Sequence, residues 1–390
     1  VENVALMINL MSALFSALTI LLLFWTIKLF IYKLPTTGPN YIINLSAAVG
    51  ALIYAFSDSF WFSAVEGEVY AMSSFFTALV FWAIMKWEKS DQDIKADKWL
   101  IFISYLIGLS IGVHMLSLLV IPAIVLIYYF KKFQFSFTGF IIANITAILL
   151  LGLIYNIIIP QFVNFAGKFE IFFVNNLSLP FNSGTICYFI IIITLIISGL
   201  LMCKKHHLYN SHTAILAFTC LLIGYTSFFT LIIRSNANTP IDENSPEDAV
   251  SLLSYLNREQ YGYSPLIYGQ YFNTEVTAYT DGNPVFVKDK KNKKYIISDD
   301  RKNSIPVYDT KTSGLFPRMW SSDTRHIEAY QSWANLKSTT KRPSFGENLK
   351  FFFSYQINHM YVRYFMWNFA GKQNDKQGHG ELNNGNWISG

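Results

Sequence analysis

Charge is what this sequence has least of. Only 14% of its 390 residues are Asp, Glu, Lys or Arg, while 52% are hydrophobic and 17% aromatic. A soluble domain carries roughly 25% charged residues, so the composition excludes an ordinary soluble globular protein and marks a membrane protein. Cysteine is scarce as well. Cys187, Cys203 and Cys220 all fall inside apolar runs, where free Cys acts as a small packing residue, and no disulfide framework is expected. There is no Gly-rich phosphate loop, no zinc-ligand spacing and no serine nucleophile elbow, which leaves nucleotide-driven and hydrolase chemistries without support. No metal site is expected either. The formal charge of +5 does not imply nucleic-acid binding, because the basic residues lie mostly in short loops beside apolar runs.

What is present is a series of apolar runs. A helical span needs about 20 apolar residues, somewhat fewer where neighbouring helices compensate. Val4–Phe30, Asn40–Phe56, Met72–Trp87, Thr138–Ile159, Gly184–Cys203 and Ser211–Ile233 each qualify. Trp99–Phe130 is too long for one helix and has Lys98 at one end and Lys131-Lys132 at the other. Two short spans turning near Gly112-Val113-His114 fit both facts. Residues 1–233 therefore read as about eight spans.

Lysine sets the sidedness. One set of loops holds Lys28, Lys33, Lys86, Lys89, Lys95, Lys98, Lys131, Lys132, Lys204 and Lys205; the alternate set holds Lys168 alone. The alternate set is therefore non-cytoplasmic. It comprises Asp58–Tyr70, the His114 hairpin tip, Gln161–Ser183 and the chain after Ile233. Residue 1, a Val, falls on that side too, and the chain is expected to be a fragment lacking upstream spans and a downstream part.

Residues 234–350 change character, with 16 Lys/Arg against 14 Asp/Glu and no spanning run. They read as a soluble non-cytoplasmic α/β insert. Ser245 as N-cap, Pro246 and Asp248 signal one helix with Val250, Leu253 and Leu256 as its apolar face and Gly262 beyond its end. Strand-like pieces follow at Pro265–Tyr271, Pro284–Lys288 and Lys294–Ser298, the last two flanking a basic hairpin turn. Residues 351–390 begin with nine aromatics in Phe351–Phe369, which predicts an interfacial amphipathic helix.

Three places carry groups suited to chemistry. The stretch DSFWFSAVEGEVY holds Asp58, Glu66 and Glu68 with no Lys or Arg. Carboxylates at a membrane boundary are costly unless hydrated, paired or functional. Glu66 and Tyr70, four apart, would share a helical face; the alternative is three hydrated loop carboxylates. His114 sits at the mouth of two short helices, either as a structural residue or as a ring able to meet a phosphate or sugar. Arg234 follows a span at head-group depth, where a guanidinium can hold a phosphate bidentately or merely snorkel. Asn236 and Asn238 would add donors, and Asp242 and Glu243 could orient the Arg. His359 and Arg363, one helical turn apart, are supporting candidates.

Six strings occurring in order, among them FWFSAVEGEVYAMSSFFTA, GLSIGVHMLSLL, RSNANTPIDENSPEDAVSLLSYLNREQYG and FGENLKFFFSYQINHMYVRYFMWNFAG, resemble a bacterial membrane family of the domain-of-unknown-function kind. That family is similar to protein O-mannosyltransferases of the GT-C superfamily. The resemblance implies an all-α polytopic GT-C-like enzyme in the bacterial inner membrane, with residues 234–350 in the periplasm. It would move a sugar, mannose-like, from a polyprenyl-phosphate donor to Ser/Thr hydroxyls of secreted or membrane proteins. The lipid-phosphate sugar is a substrate, and no separate cofactor is implied. Glu68 matches the family's Glu-Val-aromatic motif, His114 its Gly-Leu-x-x-Gly-x-His stretch and Arg234 its Arg-Ser-Asn-x-Asn string. A Trp-Asp-x-Gly-Glu-Phe-like string expected in the first external loop is absent here, so that loop is expected upstream and the fragment alone is expected to be inactive. The rival reading is a non-enzymatic transporter of lipid-linked sugar or polymer. Such a protein usually has polar groups at mid-membrane and internal repeats; here the spans are apolar through their middles, Asn144 and Thr146 excepted. A plain membrane anchor would not need the carboxylates or His114.

Overall fold

The computed structural model describes residues 3–35, 38–90, 93–237, 239, 242, 245–257, 264–374, 377 and 385–387, with 93–95 by backbone alone. Asn238, Glu243 and Gly262 lie outside the described residues. The chain forms two compact units, residues 1–257 with 290–294, and residues 258–289 with 295–390. The division falls after Asn257 rather than at the end of the last apolar run.

The first unit is helical. Its elements are α1 (Val4–Ile31), α2 (Asn40–Ala55), α3 (Asp58–Val65), α4 (Tyr70–Lys89), α5 (Asp93–Ile111), α6 (Ile121–Lys132), α7 (Phe137–Leu153), α8 (Ile159–Ile171), α9 (Ser183–Lys205), α10 (Tyr209–Tyr225), α11 (Phe229–Ser235) and α12 (Ala249–Leu256). A 3₁₀ segment, Met115–Val120, leads into α6, and π turns join α7 to α8 and extend α8 to Asn176. Among the described residues, five helical segments are long and apolar enough to cross a membrane: Val4–Ile31, Met115–Lys132, Phe137–Asn176, Ser183–Lys205 and Tyr209–Ser235. The pair α2 and α3, bent by 71°, makes a sixth if taken as one span. The expected span Thr138–Ile159 thus continues as helix well into the stretch read as a loop.

Burial in this unit runs opposite to that of a water-soluble helix. On α1 the inward residues include Ser12, Ser16, Thr19 and Thr26, while Leu6, Leu10, Leu14 and Leu21 are exposed. Small side chains let helices approach closely where lipid provides no hydrophobic drive between them. Aromatic pairs then lock α1 to α4: Phe15 with Phe75, Trp25 with Trp82 and Phe30 with Phe81, at 5.1, 5.8 and 6.2 Å between centroids. The tightest crossing joins α5 and α10. A Cβ on Gly108 would collide with the Leu221 carbonyl oxygen, and one on Gly224 with that of Tyr105.

Several residues of the lysine-rich loops and the helix ends beside them meet one another. Lys33 pairs with Glu88 at 2.8 Å, Lys131 Nζ donates to the Trp87 and Ser90 carbonyls at 2.7 and 2.8 Å, and Thr213 donates to Asp97 at 3.1 Å. All of these residues belong to or border the lysine-rich set of loops. At the alternate ends, the position of a Gly67 Cβ lies 3.0 Å from Ile8, and Tyr70 meets His114.

The helix foreseen after Ser245 starts later than its sequence signal suggests. Ser245 is in the left-handed region (φ 37°), and the N-cap is Asp248, whose carboxylate accepts from the Val250 and Ser251 amides at 3.0 and 2.9 Å. A carboxylate is the stronger acceptor at a helix N-terminus. The buried face becomes Ala249, Leu252 and Leu256 instead of Val250, Leu253 and Leu256. Leu252 and Leu256 join the core formed by Phe76, Ile107, Ile121 and Leu221. This helix therefore belongs to the membrane unit and not to the insert.

The second unit holds three two-stranded sheets pairing β1 (Tyr268–Gly269) with β6 (Gly314–Leu315), β2 (Val276–Thr280) with β5 (Ile305–Tyr308) and β3 (Val285–Asp289) with β4 (Lys294–Asp299). The sequence signalled β1, β3 and β4 but not β2, β5 or β6. α13 (Thr324–Ala334) and α14 (Phe345–Phe351) pack Tyr330, Ala334 and Phe351 against Tyr271, Phe272 and Met319. A capping box between Ser344 and Glu347 starts α14, which runs on through a π-helical stretch, Phe352–Val362, into α15 (Arg363–Phe369). A boundary at residue 351 would cut this continuous helix.

Candidate functional site

The acidic stretch is less of a loop than its composition suggests. Asp58 stands in the first turn of α3, whose Phe60 is buried, and only Glu66 to Val69 link α3 to α4. Gly67, with no side chain to stabilise a helix, lies in this link. Glu66 closes α3 and Tyr70 opens α4, so the two do not share one helical face. Glu66, Glu68 and Tyr70 are exposed; Asp58 is half-buried.

His114 is fixed from two sides. Its Nδ1 accepts the Leu116 amide at 3.1 Å, capping the 3₁₀ segment, and its ring lies 5.7 Å from that of Tyr70 at 52°. The hairpin tip therefore abuts the first residue of α4, immediately after the acidic link.

A cleft of about 450 Å³ opens beside this junction. α4 supplies Met72 and Phe76, α5 and its turn Leu109, Gly112 and Val113, α11 Thr230 and Arg234, and α12 Tyr255. Its wall is mostly apolar, and among the described residues Arg234 is its one charged lining residue. Arg234 lies in the last turn of α11 and is exposed. Among the described residues no hydrogen bond or ion pair engages its guanidinium. Ser227 also lines the cleft, and its buried hydroxyl has no partner among the described residues. It faces Gly112, where a Cβ would collide with the Ser227 Oγ. An apolar slot with a cation at its rim is suited to a lipid chain ending in an anion.

The residues expected to assist Arg234 do something else. Asn236 Nδ2 donates to the Ile232 and Glu247 carbonyls, both at 2.8 Å. Both amide hydrogens are thus committed, and Asn236 braces the chain between α11 and α12 instead of offering donors to a phosphate. Asp242 accepts from the buried Ser235 hydroxyl at 2.8 Å rather than from Arg234. Together they hold the segment from which Arg234 projects.

His359 and Arg363 belong to the second unit and are engaged within it. His359 stacks on Tyr355, with centroids 5.7 Å apart at 17°, and lies 4.8 Å from Trp333. Arg363 is buried and donates to the His359 and Gly385 carbonyls and to Gln377 at 2.8, 2.7 and 3.0 Å. Burial holds its guanidinium below the usual arginine range. These are internal ties of a folded tail.

Sequence reasoning missed Ser227, Tyr255 and Glu170. Glu170, fully buried, accepts the Thr185 amide and hydroxyl at 2.9 and 3.0 Å and so caps the start of α9. An acidic residue in a mostly apolar stretch was its available signal. Among the described residues no group of three or more His, Cys, Asp or Glu is placed to hold a metal ion.

Residues 1–136 match the family model described as the protein O-mannosyl-transferase TMEM260 N-terminal domain, and residues 262–353 match a family of unknown function (DUF8416). No curated protein and no solved structure matches the chain. The first match includes Glu68, Tyr70, His114 and the α4–α5 side of the cleft. The chain is thus similar to the N-terminal domain of a protein O-mannosyl-transferase over its first 136 residues and to a family of unknown function over residues 262–353.

Proposed function

We propose that this protein is a membrane glycosyltransferase of GT-C type, moving a sugar from a polyprenyl-phosphate donor to Ser/Thr hydroxyls of proteins on the non-cytoplasmic face. The observation that carries this reading is the apolar cleft rimmed by Arg234 and built partly from the stretch similar to an O-mannosyltransferase domain. The isoprenoid chain would occupy the cleft between α4, α5 and α11. The donor's phosphate would meet Arg234, with His114 nearby at the hairpin tip.

In the reaction, the acceptor hydroxyl oxygen forms a bond to the anomeric carbon as the bond from that carbon to the phosphate oxygen breaks. A carboxylate takes the hydroxyl proton, a contribution of typically 10²–10⁴-fold. Glu68 leads the candidates from this chain, with Glu66 and Asp58 beside it in sequence. The electron pair leaves on the lipid phosphate, whose developing charge a fixed guanidinium stabilises.

The test is transfer itself. The full-length protein carrying this chain, reconstituted in proteoliposomes with labelled polyprenyl-phosphomannose, should label a Ser/Thr-containing acceptor peptide. Movement of intact donor across the bilayer without peptide labelling would favour the transporter instead.

A further inference from the structure

A second cavity, of about 170 Å³, lies on the other side of α11: Thr230, Leu231 and Arg234 line the first cleft, Phe229 and Ile232 the second. Five aromatic rings border it and touch one another in a chain. Phe162 meets Phe189 and Tyr225 at 5.9 and 6.0 Å between centroids, Phe189 meets Phe229 at 5.5 Å, and Tyr225 meets Phe228 at 5.2 Å. The Tyr225 hydroxyl donates to the Ile159 carbonyl at 3.1 Å, which fixes its ring. Among the described residues no Lys, Arg or His lines this cavity, while Glu247 and Asp248 do. The positive ends of α9 and α12 open beside it, and each already meets a carboxylate. Glu170 accepts the Asn182 and Thr185 amides, and Asp248 caps α12, so neither helix end calls for an anion. Glu247 is a carboxylate beyond these. It is half-buried, and among the described residues no hydrogen bond or ion pair engages its side chain.

We propose that this cavity binds the ammonium of a phosphatidylethanolamine head group, with the aromatic rings as its cage and Glu247 as its counter-charge. Ring faces attract an organic ammonium, and a carboxylate at the rim accepts its N–H groups. Depth favours a lipid over a soluble amine. Thr185 in the wall and Lys204 at the lysine-rich end of α9 lie nineteen residues apart, which is about 29 Å of helix. A bilayer's hydrocarbon core is about 30 Å thick, so Thr185 stands at head-group level. Beside it, Ile186, Ile190 and Ile193 form an exposed apolar flank of α9 along which the acyl chains run. Asn182, exposed at the rim, offers its amide to the phosphodiester that follows the ammonium. The site is independent of the donor reading above, which concerns the other side of α11.

The test offers the full-length protein carrying this chain, purified in detergent, equal amounts of phosphatidylethanolamine and phosphatidylglycerol with identical acyl chains. Native mass spectrometry counts the lipid retained. Phosphatidylethanolamine should be retained about tenfold over phosphatidylglycerol, the worth of a hydrogen bond to a charged group, and Glu247→Gln should remove most of that preference. Phe229→Leu keeps apolar volume but removes one ring face, and it should lower the preference about threefold, in the range of one cation–π contact. N-acetylated phosphatidylethanolamine keeps the phosphodiester and the chains but lacks the ammonium, and wild type should not prefer it to phosphatidylglycerol. That comparison needs no variant and decides the matter if either substitution unfolds the protein. Equal retention of the two lipids by wild type, an undiminished preference in a folded Glu247→Gln variant, or equal retention of the N-acetylated lipid and its parent would each overturn the proposal. Tighter binding of a lysine-containing peptide than of phosphatidylethanolamine, lost in Glu247→Gln, would overturn it too and make the cavity a peptide site.

Discussion

Glu68 and Arg234 are the residues on which the proposed reaction depends most, and they differ in how the fold treats them. Glu68 sits exposed in a four-residue link, two residues before Tyr70, which meets His114, and four before Met72 in the cleft wall. Glu68→Gln should leave the protein folded and inserted while reducing peptide labelling at least 100-fold, the lower range for loss of a general base. Near-normal turnover would return Glu68 to a hydrated link. Arg234 is held by what surrounds its backbone: Asn236 and Asp242 fix the chain and leave the guanidinium to the cleft. Arg234→Ala should weaken donor binding by about 1.5–3 kcal/mol, the range for a hydrogen bond to a charged group. Arg234→Lys should fall between, keeping the charge but losing the two-pronged fit to phosphate oxygens. Peptide binding should change little in either variant, and equal donor affinity in wild type and the Ala variant would reduce Arg234 to a snorkelling anchor.

The cleft exists because elements far apart in sequence cross closely. α5 and α10 meet through Gly108 and Gly224, and the same contact carries the Gly112 turn onto Ser227. Gly108→Val would force β-branched bulk against the Leu221 carbonyl, where overpacking typically costs 1–3 kcal/mol. The expected outcome is a lower melting temperature in detergent, with donor binding lost in proportion because Leu109 and Gly112 shift with α5. Wild-type thermal stability in this variant would show that the two helices can separate without consequence. At this scale the sequence was legible wherever a signal was local. The apolar runs gave α1, α2, α4 and α9 to within a few residues and the starts but not the ends of α7 and α10, and the over-long run gave the α5–α6 hairpin with its turn at Gly112-His114. The start of α12 was misplaced because Ser245 and Asp248 both suit an N-cap, and the choice fell to the burial of Leu252 and Leu256 against the α-helical core.

For the molecule as a whole, the ten-to-one lysine bias sets the sidedness we propose. Cysteine placed at Ser90 or Ser211 should react only with reagent on the cytoplasmic side, and cysteine at Ser264 only from outside. Labelling at Ser264 from the cytoplasm would sink both the topology and the reaction built on it. The contacts between Lys33 and Glu88 and between Lys131 and Ser90 fit this assignment, since lysine-bearing ends that share one side are free to meet there.

Membrane character, the order of apolar helices and the similarity to an O-mannosyltransferase domain were determined by the sequence alone, because hydropathy, loop charge and motif strings are properties of consecutive residues. The tertiary structure decided the partners of polar groups. Asn236 looked like a donor to a phosphate and Asp242 like a group orienting Arg234, until their hydrogen bonds made them braces of the chain around it. Ser227, invisible as a site residue in its own neighbourhood, gained a place in the cleft from Gly112, more than a hundred positions away. A polar side chain's role follows from what lies within about 3 Å of it, and in a bundle of crossing helices that distance bears no relation to distance along the chain.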